Sequence, residues 1–174
     1  GGQRQFDFAV ELLGAALAAR AKRPETARIW AGAATTLTLA LACALVVHAS
    51  SAGTPQLLFE LPIEGLSLGL ASDGAVAVLA TIVALVHLGA LAFTPARTVD
   101  SRLGSALLLG EAGTMLGLHG RSPVLLLIGW AISTVPLLGG PVAASSNLAR
   151  RSAAISIVSL TIAIGLDWMG DADN

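Results

Sequence analysis

Residues 103–139, with the sequence LGSALLLGEAGTMLGLHGRSPVLLLIGWAISTVPLLG, consist of two long apolar runs joined by the polar break His119-Gly120-Arg121-Ser122. Two such runs in succession predict a helical hairpin inside a membrane. Glu111 lies in the middle of the first run, so we expect its carboxyl group near the bilayer midplane. An ionisable side chain is costly at that depth, which makes Glu111 a candidate functional residue.

The composition of the whole chain also indicates a membrane protein. Of 174 residues, 55% are hydrophobic and only 12% are charged, and the mean hydropathy is +0.78. This is too apolar for an ordinary soluble domain. The net charge of −1 gives no reason to expect nucleic-acid binding. Cys43 is the only cysteine, which excludes an intrachain disulfide, and we interpret it as a small packing residue.

Hydrophobic runs along the chain define the predicted fold, an all-α integral membrane protein of five to six transmembrane helices with a small extracytoplasmic β-hairpin. We predict one transmembrane domain over residues 1–174, with helices over about residues 6–21, 29–49, 73–93, 103–119, 122–139 and 152–169. The first run is short, so it is either a spanning helix with a wet outer end or an amphipathic helix on the surface. Residues 50–72 contain two apolar segments around Pro62-Ile63-Glu64-Gly65, which predicts the hairpin.

The positive charges predict the orientation. Under an alternating topology, eight of the ten cationic residues fall in cytoplasmic segments: Arg20, Lys22, Arg23, Arg28, Arg97, Arg102, Arg150 and Arg151. Arg4 and Arg121 fall outside. The bias of Lys and Arg toward cytoplasmic loops therefore predicts six crossings with both termini outside. We expect the chain in the inner (cytoplasmic) membrane of a bacterium.

Two motifs add a resemblance to a known family. LSLGLASDG over residues 66–74, which opens the third helix, and LLLGEAGTMLGLHGRSPVLLLIGW over residues 107–130 resemble the N-terminal part of antiporter-like membrane subunits of respiratory complex I. That family includes Mrp-type cation antiporter subunits and the membrane partner of bacterial inorganic-carbon transporters. The resemblance implies an ion-translocating complex, with other membrane subunits and the lipid bilayer as partners.

The chain departs from the family at the residue that matters for proton transfer. Members have a glutamate directly after the Gly-Trp of the fifth helix, whereas Gly129-Trp130 is followed here by Ala131. Their later helices, with the lysines that complete the relay, have no counterpart in these residues. The resemblance therefore implies a truncated or divergent subunit of a proton-translocating complex, which is not an enzyme on its own. A purely structural membrane subunit, an inorganic-carbon transporter partner and a small homo-oligomeric transporter are the alternatives.

Proton relay candidates are then Glu111 and His87. His87 is the only ionisable residue inside the third helix, and its depth differs from that of Glu111 by roughly 5 Å at 1.5 Å per residue, so the two could pair if their faces match. Alternatively, Glu111 accepts a hydrogen bond from a Ser or Thr and only stabilises helix packing. Three scattered histidines without Cys or Asp at ligand spacing do not predict a metal site, and we expect no cofactor and no catalytic residue.

Overall fold

A computed structural model of the chain describes residues 6–52, 56–63 and 66–139, together with the single positions 155, 158, 159, 161 and 162. The described part is mostly helical, as predicted. The helices are α1 (Phe6–Arg20), α2 (Pro24–Ala52), α3 (Gly74–Phe93), α4 (Ser101–His119) and α5 (Pro123–Gly139), with a short 3₁₀ turn at Ala96–Thr98. The sixth helix, predicted over residues 152–169, falls outside the described residues apart from those single positions.

Aspartate side chains define where two of the helices begin. Asp73 has an extended backbone, and its carboxylate accepts a hydrogen bond of 2.8 Å from the Val76 N–H at the start of α3. Asp100 accepts the Leu103 N–H at the same distance and starts α4. Each carboxylate satisfies a donor that the helix itself leaves unpaired.

Two strands connect α2 to α3. β1 (Gln56–Ile63) pairs antiparallel with β2 (Leu66–Ser72), with an irregularity in the register between Leu57 and Phe59. The turn between α4 and α5 extends this pairing, because the Arg121 N–H donates to the Gly69 carbonyl oxygen at 2.8 Å. The strands therefore lie at the end of the bundle where α4 finishes.

The core consists mainly of small side chains. One buried cluster combines Leu91, Val99 and Leu108 with four alanines of α1 and α2, which are Ala15, Ala18, Ala31 and Ala34. A second cluster contains Ala42, Ala80, Ala84 and Met115. Small residues let helix backbones approach closely, which is how helices associate where lipid supplies no hydrophobic drive.

The large apolar side chains lie on the outside of the same helices. On α3, Ala77, Ala80 and Ala84 are buried, whereas Leu79, Ile82, Leu85 and Val86 are about half exposed or more. Cys43 on α2 is also exposed, so our interpretation of it as a packing residue is wrong. It lies on the outer face of α2, while neighbouring Ala42 takes the packing position.

Two of the described helices are long and apolar enough to cross a membrane by length and composition. They cover residues Pro24–Ser51 and Gly74–Phe93. Pro123–Pro136 in α5 is apolar but shorter. Five or six crossings and the outer position of the strands therefore stay predictions.

Candidate functional site

Glu111 is completely buried in the middle of α4, where α4 packs against α1 and α2. Thr35 of α2 donates its hydroxyl to Glu111 Oε2 at 2.8 Å, and Thr35 is itself buried. This is the kind of hydroxyl partner that the second interpretation of Glu111 predicted. The contact holds the carboxyl group in one orientation between two helices.

Glu11 of α1 is a second buried acid beside the first. Its side chain is 0% exposed, and its Oε1 accepts a hydrogen bond from the hydroxyl of Thr38. Thr35 and Thr38 are three residues apart in α2, so they lie on the same helix face. One face of α2 thus presents one hydroxyl donor to each of the two glutamates.

The two carboxyl groups also act on each other. Thr35 and Thr38, which bond Glu111 and Glu11, lie on one face of α2, so the two buried carboxyl groups are neighbours. Two ionised carboxylates are both acceptors only, so a hydrogen bond between them requires a proton on one of them. Oε1 of Glu111 accepts no hydrogen bond from a donor in the described residues, which leaves it available for that proton. We call Glu11, Glu111, Thr35 and Thr38 the carboxyl cluster.

Close packing of α1 on α2 brings the cluster together. A Cβ atom built on Gly14 would lie only 2.5 Å from the Cβ of Ala34, so glycine at this position allows the two helices to approach. Gly14 lies three residues after Glu11, and Ala34 directly precedes Thr35. The small pair therefore sets the spacing at the level of the hydrogen bonds.

His87 does not belong to this cluster, so the pairing of His87 with Glu111 that we considered is not formed. Nδ1 of His87 lies 2.9 Å from the Val83 carbonyl oxygen, within its own helix. Its Nε2 faces α4 at Gly110, where a built Cβ would lie 3.7 Å away. Successive residues on an α-helix are about 100° apart, so α4 turns Gly110 toward α3 and Glu111 toward α1 and α2. His87 and Glu111 therefore lie on helix faces that do not match.

Glu11 is the site residue that sequence reasoning missed. It lies inside an apolar helix, and the principle that marked Glu111 applies to it equally. Neither alternative for the short first helix, a spanning helix with a wet outer end or an amphipathic helix on the surface, predicts a buried acid in its first half. Treating α1 as a packed helix would have identified both acids.

Gly129, in the Gly-Trp pair of α5, allows α5 to pack closely against α4. A Cβ built on Gly129 would lie 2.5 Å from the Gly117 nitrogen and 2.6 Å from the Gly113 carbonyl oxygen. Gly113 and Gly117 are four residues apart on α4 and form a G-x-x-x-G pattern that faces α5. Ala131 is partly buried and carries no titratable group. Across the described ranges, no three His, Cys, Asp or Glu side chains come together as metal ligands.

Comparison of the sequence with protein-family models and with curated proteins finds no match.

Proposed function

We propose that the chain is a helical membrane subunit of a multisubunit ion-translocating complex, in which the carboxyl cluster holds and passes on a proton. The observation that carries this proposal is the complete burial of Glu11 and Glu111 among three helices, where each accepts a hydrogen bond from a threonine on the same face of α2. Burying two acids among alanine and glycine residues costs free energy of folding in a helix bundle. A function that needs an exchangeable proton explains why both are present.

Mostly small and polar side chains lie inside the bundle and many large apolar ones lie outside, the reverse of a soluble protein, and this supports the membrane placement. Alanine, threonine and glutamate supply most of the buried residues, beside a few larger side chains such as Leu108 and Met115, whereas many leucine, isoleucine and valine side chains are exposed. In water, the outer faces of α2 and α3 would form apolar patches that monomeric soluble proteins avoid. In lipid, those faces are solvated by acyl chains. The cationic residues at the α1–α2 turn support a cytoplasmic position for that turn, with the N-terminus outside in the inner membrane of a bacterium.

The chemistry that the cluster supports is proton exchange between two carboxyls. With one proton on the pair, the second carboxylate is stabilised by the shared hydrogen bond and by a threonine hydroxyl. A proton that arrives on the ionised glutamate leaves both carboxyls neutral, and transfer of the other proton to a water molecule or a base of a neighbouring subunit restores the singly protonated pair. Neither carboxyl has to stay ionised without a donor.

The alternative is a purely structural subunit. It is supported by the fact that each glutamate already has a threonine donor, so the cluster can serve as a fixed polar contact among α1, α2 and α4. An inorganic-carbon transporter partner would use the same scaffold within a different complex. In both cases the proton in the cluster would not exchange during turnover.

The test compares Glu11→Gln and Glu111→Gln in the intact complex, purified with its partner subunits and reconstituted into vesicles. Infrared difference spectroscopy measures the protonated carboxyl band, and a pH-sensitive dye measures proton translocation. We expect either substitution to abolish the exchangeable carboxyl band and to lower translocation by about a hundredfold or more, the scale of one removed proton-transfer group.

The matched control is Glu25→Gln, which removes an exposed acid from α2. It should change neither the band nor the rate. If both cluster variants assemble and translocate protons at the wild-type rate, the relay is refuted and the structural alternative stands.

A further inference from the structure

Five cationic residues lie together where α1 ends and where α2 and α4 begin. They are Arg20, Lys22, Arg23, Arg28 and Arg102, and we call them the cationic end. Gly104 shows that the three helix ends are adjacent: a Cβ built on it would lie 3.7 Å from the Cβ of Ala18 and 3.6 Å from the Ala27 carbonyl oxygen. The cationic end is therefore formed by the packing of three helix ends as well as by the loop between α1 and α2.

The charges at this end are not neutralised within the described residues. Arg28 is partly buried and the other four cations are exposed, and none of the five forms an ion pair in the part of the chain that the structure describes. The nearby acids are Glu25 and Asp100, and Asp100 is bonded to the start of α4. A net positive surface with free side-chain donors remains.

Exposed apolar side chains border the cationic end. Ile29 is 67% exposed and Trp30 is 42% exposed at the start of α2, and Phe93 is 92% exposed at the end of α3. The turn after Phe93 returns to the same end of the bundle, because Val99 is buried in the cluster that contains Ala18. Cations next to exposed Trp and Phe match the chemistry of a phospholipid, which has a phosphate beside acyl chains.

We propose that the cationic end binds anionic phospholipid headgroups in the adjacent leaflet and so retains a shell of acidic lipid around α1, α2 and α4. Guanidinium and ammonium groups would bond the phosphate oxygens, while Ile29, Trp30 and Phe93 would contact the upper acyl chains. The proposal rests on the membrane placement proposed above. It does not depend on proton exchange by the carboxyl cluster.

The test uses Trp30 as a fluorescent reporter in the full-length chain with Trp130→Phe and Trp168→Phe. The protein is reconstituted into phosphatidylcholine vesicles that contain a small fraction of brominated phosphatidylglycerol, or the same fraction of brominated phosphatidylcholine. Bromine quenches tryptophan on contact, so quenching reports the local lipid. We expect quenching to indicate roughly fivefold or greater local enrichment of the anionic lipid, given the attraction of each Lys or Arg to an anionic surface. The enrichment should fall as salt is added.

A variant with Arg20→Gln, Lys22→Gln and Arg23→Gln should reduce the enrichment to less than about twofold, since screening and charge removal act on the same attraction. Arg121→Gln, at the opposite end of α4, should leave it unchanged. Circular dichroism and elution from size exclusion verify that both variants are folded.

Equal quenching by the two brominated lipids would overturn the lipid site, while leaving the membrane placement intact. Absence of quenching by either lipid would overturn the placement as well. Enrichment that is unaffected by the triple substitution would assign the anionic lipid to another surface and refute this one.

Discussion

Replacing Gly129 by alanine should destabilise the protein, although alanine is the better helix former. The added Cβ would lie 2.5 Å from the Gly117 nitrogen and 2.6 Å from the Gly113 carbonyl oxygen. These separations are about 1 Å below the roughly 3.5 Å at which van der Waals contact is most favourable. Both opposing atoms belong to the backbone of α4, so a side-chain rotation cannot relieve the clash, and α5 has to move as a whole.

Such overpacking typically costs about 1–3 kcal/mol. The higher helix propensity of alanine offsets up to about 1 kcal/mol of this overpacking cost. We therefore expect the free energy of unfolding to fall by up to about 2 kcal/mol, and to lie about 1–3 kcal/mol below that of a glycine-to-alanine variant without the clash. The control is Gly89→Ala in α3, where a built Cβ meets no atom within 4 Å. That substitution should leave stability unchanged or raise it by up to about 1 kcal/mol.

The assay is reversible unfolding in mixed micelles, followed through the fluorescence of Trp130, which adjoins the substituted residue, and through helical circular dichroism. If Gly129→Ala proves as stable as Gly89→Ala, the close backbone contact between α4 and α5 does not exist as described. Gly113→Ala provides an independent check, because its Cβ would clash with the Ser133 backbone nitrogen.

Two further predictions concern α2. Thr35→Val removes the donor to Glu111 while keeping the side-chain shape, so the free energy of unfolding should fall by about 1 kcal/mol, the scale of hydrogen bonds between helices in membranes, and Thr35→Ser should restore most of it. The same micelle assay measures this, and equal stability of the valine and serine variants would contradict the bond. Cys43 is exposed on the outer face of α2, so in sealed vesicles a charged maleimide should leave it unlabelled and should label it after denaturation in detergent. Rapid labelling of the folded protein in vesicles would show that this face contacts water and would refute the membrane placement.

The sequence predicts the helical elements well and their mutual orientation poorly. The helix predicted over residues 73–93 runs from Gly74 to Phe93, and the one predicted over residues 103–119 runs from Ser101 to His119. Such bounds are local: the cap at Asp73 and the polar break at residues 119–122 specify them. Glu111 was identified because an acid within an apolar run is conspicuous by itself.

Contacts between helices depend on rotation about each helix axis, which hydrophobic runs do not encode. When nearly every residue is apolar, no polar face indicates which side is buried. Depth alone therefore allows His87 to pair with Glu111, whereas in the structure Gly110 occupies the position that faces His87. The small residues carry the missing information: Gly14 and Ala34 mark the crossing of α1 with α2, and a search for such pairs would have indicated Glu11.

The origin of the carboxyl cluster in α1, α2 and α4 has a consequence for biosynthesis. A chain inserted from its N-terminus delivers Glu11 first and Thr38 shortly afterwards, so a hairpin of two helices already supplies one hydroxyl to the first acid. In the proposed membrane placement, Glu111 is synthesised a hundred residues after Glu11, when the helix that carries its donor Thr35 is already present. Each buried glutamate thus has its threonine donor available during synthesis. The pair of glutamates forms only when α4 packs against α1 and α2.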